Sequence, residues 1–177
     1  MRSPLEPAAR PEITAVCSRR LKPDVIEWFR SGHRSLKTVT SDYREVLSDP
    51  GVDAVYCAVP NDLHEELYTA VLESGKHLMG EKPFGIDQTA NRAILEEVER
   101  HPDLLVRCSS EMPFFPGALE IVRAIREERF GTILDVEAAF LHASDLNPDK
   151  AINWKRRIDT NGAYGCMGDL GMHVLHV

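Results

Sequence analysis

The sequence predicts an α/β fold: a parallel sheet first, then the start of an α+β unit. Three observations carry this reading. Short apolar runs alternate with longer helical stretches along residues 13–109. The short runs are apolar at successive positions, which is the pattern of strands buried on both faces. After about residue 112 that alternation gives way to one helix and one half-polar run. Strand, helix, strand, helix with buried strands means a parallel sheet covered on both faces, with right-handed crossovers.

Each element has a local reason. ITAVC (13–17) reads as a strand, and DVIEWFRSG (24–32) as a helix with Val25, Trp28 and Phe29 on one face. SDYREVLSDP (41–50) is a short helix capped by Ser41 or Asp42 and stopped near Pro50. VDAVYCAV (52–59) is the second strand and NDLHEELYTAVLESG (61–75) an amphipathic helix ending at Gly75. HLMG (77–80), DQTANRAILEEVERH (87–101) and LLVRCS (104–109) follow as strand, Asp-capped helix and strand. PGALEIVRAIREERFG (116–131) is a further helix, and TILDVEAAFLHAS (132–144) alternates like a half-solvated antiparallel strand. A loop runs to residue 168, and HVLHV lies in a new helix. One helix and one strand bury their own faces poorly, so this second unit reads as incomplete.

Composition narrows the class. The 177 residues suit one domain or one domain plus a piece of another, and 43% hydrophobic with 28% charged is an ordinary globular composition. The net charge of −7 argues against a nucleic-acid partner. No run reaches the ~20 apolar residues of a membrane span, and MRSPLEPAAR has no apolar core of a signal peptide. Cys17, Cys57, Cys108 and Cys166 form no CxxC pair, which points to reduced thiols and a cytoplasmic setting.

Ligands of parallel α/β sheets sit outside the carboxyl ends of the strands. That places Ser18-Arg19, Pro60-Asn61, Glu81-Lys82 and Ser110-Glu111 on the binding rim. A second signal is GDLGMHVLHV (168–177), where Asp169 and His173 share a helix face and His176 lies near it. Three readings stay open there. The first is a plain helix start with Asp169 favouring the dipole. The second is a metal site, which lacks a clear fourth ligand. The third is acid–base chemistry, with His173 exchanging a proton near neutral pH and Asp169 orienting it.

VDAVYCAVPNDLHEELYTAVLESGKHLMGEKPFGID and NGAYGCMGDLGMH together resemble the Gfo/Idh/MocA family of nicotinamide-dependent sugar and polyol oxidoreductases. The resemblance covers the chain from Ile13 to its end. It implies a Rossmann-type domain over residues 1–112 and the beginning of a substrate-binding α+β domain, with an open antiparallel sheet, over 113–177. It implies that Lys82 of Glu-Lys-Pro is catalytic, with Asp169 and His173 contacting the sugar hydroxyls and moving the proton. It also implies that Pro60, Asn61, His64 and Glu81 line the cofactor site, Glu81 by the nicotinamide ribose, and that the Lys82-Pro83 bond is cis. Relatives often pair through the open sheet, which implies a homo-oligomer for a full-length protein.

The sequence also departs from the family. No G-x-G-x-x-G is present, so the first strand and glycine loop of a Rossmann unit, roughly 25–30 residues, are expected to be missing. Ser18-Arg19-Arg20 follows the first strand where NAD-preferring sites carry an acid, which leans toward NADP. Many relatives carry Asn-x-Arg-Phe where this chain has Glu111, Pro113 and Phe114. NWKRR (153–157) is either a solvated charge run or a source of substrate contacts through Lys155 or Arg156. Two other functions compete with a dehydrogenase: a relative that cleaves glycosides through transient nicotinamide chemistry, and a non-catalytic cofactor-binding or vestigial chain.

Overall fold

The computed structural model describes residues 11–141, 143 and 146–175. His176 therefore lies outside the described residues. The chain divides into two compact units, Met1–Val55 and Tyr56–Val177.

The first unit pairs two short parallel strands, β1 (Ala15–Cys17) and β2 (Thr38–Thr40), in the register Ala15↔Thr38 to Cys17↔Thr40. Helix α1 (Pro23–Gly32) connects them, starting on a proline whose missing N–H costs nothing at that position. Helix α2 (Tyr43–Ser48) follows and is capped by Asp42, whose carboxylate accepts from the Arg44 N–H at 3.0 Å. The expected apolar face of α1 is largely open: Val25 and Trp28 are 42% and 65% exposed. Trp28 and Phe29 contact each other edge to face, with ring centroids 4.9 Å apart. Strand β2 was not expected, because TVT is too short for a periodic signal.

The second unit is organised around the sheet β3-β4-β5, with β3 at Ala54–Cys57, β4 at His77–Glu81 and β5 at Val106–Ser109. Strands β4 and β5 are parallel, with Leu78 opposite Val106 and Glu81 opposite Ser109. A single helical turn at Asn61–Leu63 leads into α3 (His64–Glu73). Helix α3 buries His64, Tyr68, Val71 and Leu72, spacings that make one stripe. Helix α4 (Gln88–Arg100) packs beside α3 and buries Ala90, Ile94 and Glu97. The Asp87 carboxylate caps α4, accepting from the Ala90 N–H at 2.9 Å. Glu97 is buried because Arg100 and His101 each hold one of its oxygens, at 2.5 and 2.9 Å.

The core of this unit is small and tight: Tyr68, Leu72, Leu78, Ile94 and His64 are all below 2% exposed. Burying each such leucine or isoleucine contributes about 1.5–3 kcal/mol. Gly80 lets β4 approach α3, since a Cβ there would lie 2.6 Å from the Tyr68 ring.

Two expectations are corrected. Among the described residues the sheet is not covered on both faces: Tyr56 on β3 and Met79 on β4 are 59% and 47% exposed, while Leu78 and Gly80 face the buried side. The apolar continuity of these strands thus reflects β propensity as well as burial. The antiparallel strand expected over 132–144 is also not formed in the described residues 132–141, and Leu134 and Leu141 are 92% and 90% exposed. Alternation alone makes no strand; a ladder partner is required. Helix α5 (Pro116–Arg126) ends before Gly131, with Glu128 and Gly131 both at positive φ. The remaining elements are α6 (Ile158–Asn161), a π-helical stretch at Met167–Gly171 and α7 (Met172–Leu175).

Candidate active site

The second unit brings Lys82 and Asp169 together across 87 residues of sequence. The Lys82 Nζ donates to Asp169 Oδ1 at 2.8 Å and also to the Asp169 backbone carbonyl. Both side chains are largely buried, at 13% and 7% exposure. Two more cations reach the same carboxylate: Lys155 Nζ at 3.5 Å from Oδ1 and Arg156 Nη1 at 3.4 Å from Oδ2. Burial alone would push the Asp169 carboxyl up, but the hydrogen bond and charge of Lys82, aided by Lys155, hold it below the ordinary carboxylate value. The group is therefore a carboxylate at neutral pH.

Lys82 sits one residue past β4, and its direction is fixed from several sides. The Lys82-Pro83 bond is cis. His64 is fully buried and lies between two carbonyls, with Nδ1 at 2.6 Å from Pro83 O and Nε2 at 2.9 Å from Val59 O. Burial lowers the His64 pKa although both carbonyls favour the charged form. The neutral ring then donates to one carbonyl only. The Tyr68 ring stacks on His64 with centroids 4.8 Å apart, and its hydroxyl donates to Glu81 O at 2.8 Å.

Glu81 closes β4 and turns its side chain toward the open face. The Tyr56 hydroxyl donates to Glu81 Oε1 at 2.5 Å, and the Lys82 N–H donates to Oε2 at 3.3 Å. The carboxylate raises the Tyr56 pKa through that hydrogen bond.

Asp169 and His173 come from the last elements. Asp169 lies in the π-helical stretch, a wider turn that recurs at functional positions, and His173 lies on α7. His173 is 9% exposed and packs on Phe140, ring centroids 5.4 Å apart. The Gly-rich approach is tied down at two points. Gly162, at φ 85°, passes so close to Ile86 O that a Cβ would lie 2.5 Å away. Asn161, 2% exposed, accepts from Asn61 Nδ2 at 2.8 Å and donates to Gly165 O at 3.1 Å.

The expected site residues thus fall into distinct places. Lys82 and Asp169 meet, and His173 follows them one helical step on. Glu81 and Pro60 lie on the rim. Asn61 and His64 are buried and bonded to protein atoms. Ser18 and Arg19 belong to the first unit, exposed just past β1, with Ser18 Oγ accepting from the Arg20 N–H at 3.3 Å. Sequence reasoning missed Asn161, Tyr56 and Tyr68. Asn161 carries a faint signal, standing directly before the Gly-rich approach. Among the described residues, no group of three or more His, Cys, Asp or Glu is placed to hold a metal ion. The four cysteines are free thiols.

Lys82 stands just past the end of a parallel strand, where ligands of such sheets sit. The family model described as an oxidoreductase family with an NAD-binding Rossmann fold matches residues 3–107. The chain belongs to the Gfo/Idh/MocA oxidoreductases. Among the curated relatives, levoglucosan dehydrogenase of Pseudarthrobacter phenanthrenivorans is 26% identical over 94% of this chain and 39% of its own length. The D-xylose 1-dehydrogenase (NADP(+)) of Hypocrea jecorina is 28% identical over 94% of this chain and 43% of its own. The solved structure of levoglucosan dehydrogenase in complex with NADH superposes with TM-score 0.83 at 25% identity, covering 93% of this chain and 43% of that one. The chain therefore spans less than half the length of these relatives. No helix among the described residues is long and apolar enough to cross a membrane.

A nicotinamide group fits the rim chemically. Two of the three Lys82 N–H donors go to Asp169, which leaves one for a ligand oxygen. The sequence offers no G-x-G-x-x-G for the pyrophosphate.

Proposed function

We propose that this chain carries the reacting centre of a dehydrogenase that moves hydride between NAD(P) and a hydroxyl or keto group of a sugar or polyol. The observation that carries it is the buried Lys82–Asp169 pair at the carboxyl end of β4. When bound, the cofactor accepts the hydride. The alcohol must then lose its hydroxyl proton, and the residues here suit that task.

Lys82 donates its remaining N–H to the reacting oxygen. Asp169 keeps the Lys82 head group aimed. His173 takes the proton in oxidation and returns it in reduction. Glu81, steadied by Tyr56, receives ribose hydroxyls, with Pro60 beside it. His64 and Asn61 support that rim from beneath. In the first unit, exposed Arg19 and neighbouring Ser18 favour NADP, because a guanidinium pairs with a 2′-phosphate. Free thiols suit a cytoplasmic protein. On this reading residues 1–112 form the cofactor domain and 113–177 the start of the substrate domain. A full-length protein would then pair through the sheet of its second domain.

The test is calorimetric titration of the 177-residue chain with NADPH and NADH, beside Lys82→Ala and Arg19→Ala. Micromolar binding that weakens in Lys82→Ala, with an NADPH preference lost in Arg19→Ala, supports the reading. A folded chain that binds neither cofactor sinks it in favour of a non-catalytic chain. Cleavage of a glycoside without net cofactor turnover would favour the hydrolytic alternative.

A further inference from the structure

Asn61 and Asn161 are almost wholly buried, at 3% and 2% exposure, and their amides meet at 2.8 Å. An amide can point either way, so its hydrogen bonds must decide which end is nitrogen. Here they decide from one fixed end. The Gly165 carbonyl can only accept, so the Asn161 atom 3.1 Å from it is Nδ2. The other end of Asn161 is then Oδ1, which also can only accept. The Asn61 atom facing it is therefore Nδ2. With the Asn61 amide turned over, two acceptor oxygens would meet and neither would be satisfied.

That fixes the remaining atom. Asn61 Oδ1 takes no part in the Asn161 bond, and among the described residues no group donates to it. Among the described residues no side-chain oxygen is both fully buried and unbonded. The small exposed part of Asn61 thus includes this oxygen. Asn61 starts the helical turn that follows β3, beyond the carboxyl end of the strand, where ligands of parallel α/β sheets sit. It lies within the dinucleotide-binding stretch, residues 3–107. Asn161 lies outside that stretch, at the end of α6.

We propose that Asn161 is a positioning residue for the cofactor. It holds the Asn61 amide so that Oδ1 stays outward and accepts from an N–H or O–H donor of the dinucleotide. This rests on the dehydrogenase reading above and adds to it a residue from beyond the cofactor-binding stretch.

The experiment titrates the 177-residue chain and its variants with NADH and NADPH by calorimetry, with circular dichroism to check that each is folded. Asn61→Ala and Asn161→Ala should each weaken binding about two- to tenfold, the size of one lost hydrogen bond. The double variant should bind no worse than Asn61→Ala, because Asn161 acts through Asn61. Losses that multiply, or no loss in Asn61→Ala, overturn the proposal. Asn161→Asp gives up the Gly165 bond but still offers Asn61 Nδ2 an oxygen. It should restore most of the affinity lost in Asn161→Ala; equal losses would make Asn161 a structural tie only and overturn the proposal. The parent chain supplies a second measurement that needs no variant. One Asn61 Nδ2 proton should exchange slowly in NMR, with and without cofactor, and fast exchange overturns the proposal. The 3-acetylpyridine analogue of NADH lacks the carboxamide N–H. If Asn61→Ala leaves its affinity unchanged, the donor is the carboxamide; if it weakens as NADH does, the donor is a ribose hydroxyl. A folded parent that binds neither dinucleotide sinks the dehydrogenase reading and this proposal together. Parent binding that is indifferent to Asn61→Ala sinks this proposal alone.

Discussion

Lys82 and Asp169 meet at 2.8 Å, but the ground beneath them differs. Lys82 follows a strand packed on α3, whose Tyr68 and Leu72 are essentially without exposure. The segment leading toward Asp169 leaves Leu134, Val136, Leu141, Leu146 and Ile152 between 76% and 92% exposed. One half of the site is placed by a core. The other half is placed by point ties: the Asn61–Asn161 bond, the Gly162–Ile86 approach and the ion pair itself. Precision on the second side therefore rests on few contacts.

The sharpest way to break this contrast is to truncate one side chain on each side. Leu72→Ala should lower unfolding stability by about 2–5 kcal/mol through the cavity it leaves. Leu134→Ala should change it by no more than about 0.5 kcal/mol. Urea titration followed by circular dichroism reads both, and equal losses would erase the distinction.

Next in size is the pair. Lys82→Met should cost about 2 kcal/mol, below the usual loss for a broken buried pair, because Lys155 and Arg156 stay near Asp169. The pH dependence carries the sign. The Asp169 pKa is lowered in the fold. Its stabilisation is complete above the unfolded value of about 3.9 and fades as pH falls through the folded value. Acid titration of stability should show that loss in the parent and a smaller one in Lys82→Met.

Gly162→Ala should have a somewhat smaller effect, about 1–2 kcal/mol, from positive φ and the clash with Ile86 O. Its signature is positional. The His173 ring resonances in NMR should shift, while those of His64, held beneath the rim, should not. Equal shifts would mean that the two halves move as one body.

Much of this was legible in the sequence, for physical reasons. Helices α3 and α4 announce themselves by period and by the Asp87 cap, and their stripes are the ones buried. HLMG reads as a strand with Glu81-Lys82 at its end, and β4 does run from His77 to Glu81. The failures are of another kind. Thr38–Thr40 becomes a strand only because β1 lies beside it. Residues 132–141 have the alternation of a strand and no ladder among the described residues. Tyr56 and Asn161 act through partners 25 and 100 residues away, which no local window contains. The resemblance implies that His64 lines the cofactor site, and its contacts to the Pro83 and Val59 carbonyls are visible only in three dimensions.

Gly80 has a consequence for descent. A methyl group there would meet the Tyr68 ring at 2.6 Å and the Phe84 ring at 2.9 Å. Alanine at this position therefore requires both the Tyr68 and the Phe84 ring to shift or be lost. Losing the tyrosine ring strips its stacking from His64 and its hydroxyl from Glu81. That step is harmful by itself. The two positions are locked together by history as well as by contact, so a variant library that changes both at once will reach sequences that single steps cannot.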